Sequence, residues 1–260
     1  MPTRDSAPIG SPCWADLWTS DVEGSRKFYG EIFGWEAQEP SPEFGGYFMF
    51  TRNGIAIAGG MGGDMGDMPA SNTWKVYLTT DDIRKTVVTA EAEGAQINSA
   101  PMPVADLGIQ AVLIDPTGAD LGAWQPGSFP GFTVLNEHGA PGWFELHTRD
   151  YAAAVAFYRT VFRWNTGVAG DSDEFRYTTM RDPRGEGDLA GIMDATAWLP
   201  EGVPAHWSIY WEVDDADATL AKVKALGGSV VMDALDTPYG RLATAADPAG
   251  AQFKLRTPNR

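Results

Sequence analysis

Sulfur chemistry is nearly absent from this chain: its 260 residues hold one cysteine, Cys13. No intrachain disulfide can form, which suits a reducing compartment. There is no apolar run near the roughly 20 residues that a transmembrane helix needs. The N-terminal MPTRDSAPIGSP also lacks the apolar core of a secretory leader, so a cytoplasmic setting is expected. Positive charge is scarce, with 19 Lys and Arg against 35 Asp and Glu and a net charge of −16. Such a chain offers no electrostatic footprint for nucleic acid or an anionic membrane. Phosphate-cradling glycine loops are missing too, because GGMGGDMG fits neither the Walker nor the Rossmann pattern. Apolar content of 43%, aromatic content of 12% and ten tryptophans argue for a packed fold.

The chain repeats itself. PCWADLWTSDVEGSRKFYGEIFGWE, residues 12–36, matches PGWFELHTRDYAAAVAFYRTVFRWN, residues 141–165, at nine of 25 positions. WKVYLTTDD from Trp74 returns as WSIYWEVDD from Trp207, and DPTGA from Asp115 as DPAGA from Asp247. Three blocks in one order predict two homologous halves, placed at 10–127 and 138–258 with a Pro/Gly-rich seam between them. Each half reads as β-α-β-β-β twice. Strands are expected near 13–19, 35–38, 46–52, 55–60, 74–79, 96–99, 109–114 and 120–125. A helix capped by Asp21 is expected to run to about Phe33, with others from about 82 to 93 and near 151–162 and 215–226. The glycine-rich 59–71 reads as a flexible loop.

Strand side chains alternate between two faces. Cys13, Ala15 and Leu17 oppose Trp14, Asp16 and Trp18, and the matching strand opposes Phe144 and Leu146 to Trp143, Glu145 and His147. Downstream, Lys75 and Tyr77, Ser208 and Tyr210, Gly122 and Trp124, and Lys254 and Arg256 share the second kind of face. One face is thus apolar and suited to helices. The other is aromatic and polar, as the lining of a cleft for a partly aromatic ligand would be, or as packing between the halves would be.

These residues resemble the vicinal oxygen chelate superfamily of glyoxalases, bleomycin-resistance proteins and extradiol dioxygenases. The likeness rests on D-x-x-x-S-x-x-FY-x-x-x-FGW from Asp21, D-x-x-x-x-x-x-FY-x-x-x-F-x-W from Asp150, VDDADA from Val213 and the two DP-x-GA turns. Within it, the chain is similar to a two-domain actinobacterial subgroup of hydroxylase-like and culture-filtrate-antigen-like members. The resemblance implies an α+β fold of tandem βαβββ modules, two glyoxalase-like domains with U-shaped mixed sheets. It also implies a divalent metal held on the first strand of each module and on a late strand. Those positions carry Trp14, Lys75 and Gly122 in one half and Trp143, Ser208 and Lys254 in the other, a set poorly suited to such a metal. No metal and no cofactor is therefore expected.

Other chemistry is assigned to Asp16, Glu145 and His147 as candidate acid–base groups. Trp14, Trp18, Lys75, Tyr77, Trp124, Trp143, Ser208, Tyr210, Lys254 and Arg256 are candidate ligand contacts. If the acids are instead paired structurally, Lys75 is expected beside Asp16, and Lys254 or Arg256 beside Glu145. His138 and His206 are expected to be solvated, Cys13 to face the helices, and Arg241 to lie at the surface. The reading that follows is a metal-independent protein binding a small, partly aromatic metabolite, as a monomer or homodimer with no nucleic acid or membrane partner. The alternative is an enzyme of small-molecule metabolism or detoxification, of glyoxalase, lyase or hydroxylase type, using Asp16, Glu145 and His147.

Overall fold

A computed structural model describes residues 4–63 and 70–259. The first half runs β1 (Pro12–Thr19), α1 (Val22–Phe33), β2 (Glu36–Ala37), β3 (Phe48–Arg52), β4 (Ile55–Gly62), β5 (Thr73–Thr79), α2 (Ile83–Ala92), β6 (Gln96–Val104), β7 (Gly108–Ile114) and β8 (Asp120–Pro126). The second runs β9 (Pro141–Thr148), α3 (Tyr151–Val161), β10 (Thr166–Asp171), β11 (Arg176–Arg181), β12 (Asp188–Asp194), β13 (His206–Glu212), α4 (Ala216–Ala225), β14 (Ser229–Thr237), β15 (Gly240–Ala246) and β16 (Gln252–Thr257). Each half is one eight-stranded mixed sheet, ordered β2-β3-β4-β1-β5-β8-β7-β6 and β10-β11-β12-β9-β13-β16-β15-β14. Two βαβββ modules meet in each sheet at an antiparallel seam, where Asp16 stands opposite Lys75 and Glu145 opposite Ser208. No helix of the described residues is long and apolar enough to cross a membrane.

All four helices start where an aspartate can accept from an otherwise unpaired backbone N–H. Asp21, Asp82, Asp150 and Asp215 accept from Gly24, Lys85, Ala153 and Ala218. The helix-bearing faces of the two sheets turn toward each other, and the chain's symmetry is most visible there. Trp74 Nε1 donates to Tyr29 Oη (3.0 Å), and Tyr29 Oη donates to Asp247 of the other half (3.1 Å). Trp207 Nε1 donates to Tyr158 Oη (3.0 Å), and Tyr158 Oη donates to Asp115 of the other half (2.8 Å). Each aspartate opens a DP-x-GA turn and closes it with its other oxygen, through Ala119 N and Ala251 N. The motif thus holds its own turn and the opposite half's tyrosine at once. The swap extends to the connecting segments, where Trp35 Nε1 donates to Gly139 O and Trp164 Nε1 to Gly10 O. Trp35 and Trp74 also pack against Trp211 with ring centroids 4.9 and 5.4 Å apart.

Two expectations need correction. Part of 59–71 is not loop, because Gly59–Gly62 belong to β4. A Cβ at Gly59 would lie 1.9 Å from Tyr47 Oη, and one at Gly60 2.4 Å from the Phe48 ring, so strand glycines here admit neighbouring aromatics. The rest of that expectation, residues 64–69, lies outside the described residues. Strand β6 runs on to Val104 despite Pro101 and Pro103. It is a bulged edge strand, where a missing N–H breaks no ladder.

Candidate functional site

The faces turned away from the helices carry the same frame in both halves. In the first, Trp14 Nε1 donates to Asp16 Oδ1 (2.9 Å) and to Tyr47 Oη (3.0 Å), and Tyr47 Oη donates to Asp16 Oδ1 (2.8 Å). In the second, Trp143 Nε1 donates to Tyr177 Oη (2.9 Å), and Tyr177 Oη donates to Glu145 Oε1 (2.8 Å). Tyr47 and Tyr177 were missed in the sequence because they fall outside the three matching blocks. Aligning the strands around them would have found both.

Electrostatics separates the two frames. The Asp16 carboxyl is pushed up by desolvation, which hydrogen bonds from Tyr47, Tyr77 and Trp14 and the charge of Lys75 offset only in part. Burial acts on Glu145 in the same upward direction, but Lys254, His147 and Tyr210 more than cancel it and leave the carboxyl well below its usual range. Glu145 Oε2 is 2.7 Å from His147 Nε2, accepts from Tyr210 Oη at 2.7 Å and lies 3.3 Å from Lys254 Nζ. Lys254 Nζ also lies 3.0 Å from Tyr210 Oη and 2.8 Å from His147 Nε2. Burial lowers His147 to about 4 and also lowers Lys254. His147 Nδ1 is buried with no partner. A proton on Nε2 avoids an orphaned buried N–H and makes His147 a donor to Glu145, at the cost of a hydrogen bond from Lys254, which only an unprotonated Nε2 could accept. The carboxylate is then held by Tyr177 on Oε1 and by Tyr210, His147 and Lys254 around Oε2, an arrangement that anchors hydroxyls better than it removes protons.

Lys254 stands beside Glu145, one of the two partners expected there, while other expectations are corrected. Lys75 stands across from Asp16 but bonds Asp120, with Nζ to Oδ2 at 2.6 Å, because Asp120 offers an exposed carboxylate that costs less desolvation. Arg256 pairs not with Glu145 but with Glu212, Nε to Oε1 at 3.3 Å, and donates to Gly142 O, since Lys254 already fills the space beside Glu145. His206 is not solvated but stacks on His147, with ring centroids 5.2 Å apart, and burial lowers its pKa. His138 is half-buried against Asp214. Arg241 bonds Asp217 and Asp236 near the surface, and Cys13 is buried with its thiol pushed up to about 12.

The remaining candidates divide between the halves. Trp18 donates to Gly63 O, and Trp124 donates to Phe129 O. Ser208 lies beside Glu145 in register and is half-buried. Trp143, Glu145, Tyr177, Tyr210 and Arg256 together line a cavity of about 630 Å³ in the second half. His147 and Lys254 stand behind Glu145 rather than in its wall. Over the first frame lies the segment joining the halves. Phe129 meets Trp14 edge-on at 4.8 Å and Trp124 at 6.3 Å, and Phe132 packs on Trp14 at 5.2 Å. Gly131 makes this approach possible, with φ +88° and a Cβ position 2.0 Å from Cys13 O. Nothing in the sequence pattern signalled this cover.

The metal implied by the resemblance does not fit these residues. Among the described residues no group of three or more His, Cys, Asp or Glu can hold an ion. In the second half, where Glu145 and His147 offer donor atoms, Lys254 Nζ already lies 3.3 Å from Glu145 Oε2 and 2.8 Å from His147 Nε2.

The profile of the Glyoxalase/Bleomycin resistance protein/Dioxygenase superfamily matches residues 13–121 and 140–255. CFP32 of Mycobacterium tuberculosis, provisionally named a glyoxylase, is 37% identical over 271 residues, spanning 99% of this chain and 98% of that one. The anthracycline biosynthesis protein DnrV of Streptomyces peucetius is 35% identical over 264 residues, spanning 95% and 92%. A Mn(II)-bound glyoxalase from Novosphingobium aromaticivorans superposes with a TM-score of 0.64 at 14% identity, covering 96% of this chain and 82% of that one. The 2,3-dioxygenase LapB from Pseudomonas sp. KL28 does so with a TM-score of 0.64 at 13% identity, covering 97% and 93%.

Proposed function

The chain belongs to the Glyoxalase/Bleomycin resistance protein/Dioxygenase superfamily, and from that membership we propose that its second domain binds a small aromatic metabolite without a metal. The observation that carries this reading is the cavity of about 630 Å³, within the usual range for small-molecule sites. Its lining combines Trp143, Phe175, Tyr177, Leu189 and Met193 with Glu145, Tyr210 and the charged Arg4, Asp188 and Arg256. The rings supply contact area, and the ordered hydroxyls of Tyr177 and Tyr210 orient polar groups of the ligand. The DnrV relative, named for the biosynthesis of an aromatic compound, supports that ligand class. The reading favours binding over catalysis because Glu145 is already engaged by Tyr177, Tyr210, His147 and Lys254, and Tyr177 and Tyr210 are held well above the usual phenol pKa, burial first among the causes. The helix-bearing faces bury each other within one chain, which supports a monomer.

Titration with 1,8-dihydroxyanthraquinone, followed by tryptophan fluorescence, tests the proposal. Saturable quenching is expected, weakened at least tenfold in Trp143→Leu and unchanged in Trp14→Phe, with the compound recovered at unaltered mass. Absence of saturation overturns the binding site, and a changed mass establishes the alternative enzyme reading. Adding Ni²⁺, Zn²⁺, Fe²⁺ or Mn²⁺ is expected to leave the melting temperature unmoved. Saturable stabilisation by one ion would overturn metal independence.

A further inference from the structure

The first cleft holds an aromatic ring from its own chain, and the geometry points to that ring as a template for what the second cleft takes. This inference rests on the binding reading above. Phe129 lies edge-on to Trp14 at 4.8 Å, and its main-chain carbonyl accepts from Trp124 Nε1 at 3.0 Å. The bound unit is therefore an aromatic ring with a neutral carbonyl a few bonds away. The counterpart of Trp14 is Trp143, fixed in the same way by a tyrosine hydroxyl, Tyr47 in one half and Tyr177 in the other. The counterpart of Trp124 on the late strand is Arg256, for these two stand opposite equivalent residues of the neighbouring strand, Gln110 and Leu242. Both Trp143 and Arg256 line the cavity.

Arg256 donates through Nη1 to Gly142 O and has donors to spare. Its Nε is buried and makes no hydrogen bond, although Glu212 Oε1 is 3.3 Å away. Glu212 is itself buried, 2% exposed, with both oxygens unbonded and its carboxyl raised by burial. The charge of Arg256 is thus already faced by an acid, while Gly142 O takes only one of the five N–H donors of its guanidinium. A second carboxylate would crowd Glu212, whereas a neutral carbonyl oxygen accepts from the cavity-lining guanidinium without adding charge. The ligand class that results is an uncharged aryl ketone, quinone or aryl amide, its ring against Trp143 and its carbonyl at Arg256.

Calorimetric titration with three compounds of one shape tests this: 2-acetylnaphthalene, 2-ethylnaphthalene and 2-naphthoate. The ketone is expected to bind about tenfold tighter than either of the others, the size of one charge-assisted hydrogen bond. Arg256→Gln, which keeps an N–H, is expected to retain part of the preference. The double variant Arg256→Met with Glu212→Leu, which leaves no charge unpaired, is expected to abolish it while ethylnaphthalene affinity stays the same. In Phe129→Ala the first cleft loses its internal ring, and the stoichiometry for 2-acetylnaphthalene is expected to rise from one to two. Equal affinity for ketone and hydrocarbon, or tighter binding of the naphthoate, overturns the inference and leaves the cleft itself standing. Stoichiometry that stays at one in Phe129→Ala overturns the template. Binding of none of the three overturns both this inference and the binding site.

Discussion

The two clefts share a tryptophan, an acid and two tyrosines, yet they hold their acids in opposite states. Asp16 is raised and Glu145 lowered. The difference comes from two positions, His147 where the first half has Trp18 and Lys254 where it has Gly122. A Cβ at Gly122 would lie 2.0 Å from the Tyr77 ring, so the tyrosine occupies the room that a longer side chain would need. In the second half Tyr210 shares that space with an ammonium, which lies 4.7 Å from its ring centroid. Repetition supplied one scaffold, and two side chains turned one copy into a covered pocket whose acid is raised by burial and the other into a cleft over a charged network.

Removing the acids gives the sharpest test of this contrast. Glu145→Leu leaves Lys254 and His147 without their anion and is expected to cost about 3–5 kcal/mol in denaturant unfolding. Asp16→Asn, beside a lysine already bound to Asp120, is expected to cost about 1 kcal/mol or less. Equal losses would break the comparison. Acidity comes next. His147 has a folded pKa of about 4 against 6.5 when free. The unfolded chain takes up that proton first, so stability is present above pH 6.5 and is lost as pH falls toward 4. The loss is on the order of 2–3 kcal/mol, and melting curves of His147→Gln across this window should be flatter than those of the parent. A parent curve with no slope between pH 6.5 and 5 would remove the buried neutral histidine from the account. The smallest effect tests where the halves are alike. Tyr29→Phe and Tyr158→Phe each orphan an aspartate oxygen across the interface, and each is expected to cost about 1–2 kcal/mol. A difference much beyond 1 kcal/mol would mean that the seam is not shared evenly.

The fold was legible because it is written twice. The paired blocks from Pro12 and Pro141, the four capping aspartates and the two-faced strands all lead to the observed sheets. The Trp143–Glu145–His147 run and Lys254 were legible as one face, since alternation along a strand is a local property. Partners across the sheet were not. Lys75 choosing Asp120 and Arg256 choosing Glu212 depend on register and on which carboxylate is already taken. Phe129 over Trp14 depends on the path of a connecting segment that carries no period at all. His206 looked like a lone strand-start residue until the register set it against His147.

The DP-x-GA turns have one more consequence. Asp115 holds a turn of the first half and a tyrosine of the second, and Asp247 does the reverse. Neither half, separated from the other, has a finished outer surface at that point: each would bare a tyrosine hydroxyl and a ring face that water solvates poorly. The boundary visible in the repeat is therefore not a boundary of autonomy. Cut in two, the chain would yield fragments that seek each other, and left whole it should melt as one body, so damage to the covered cleft is felt in the open one without any ligand passing between them.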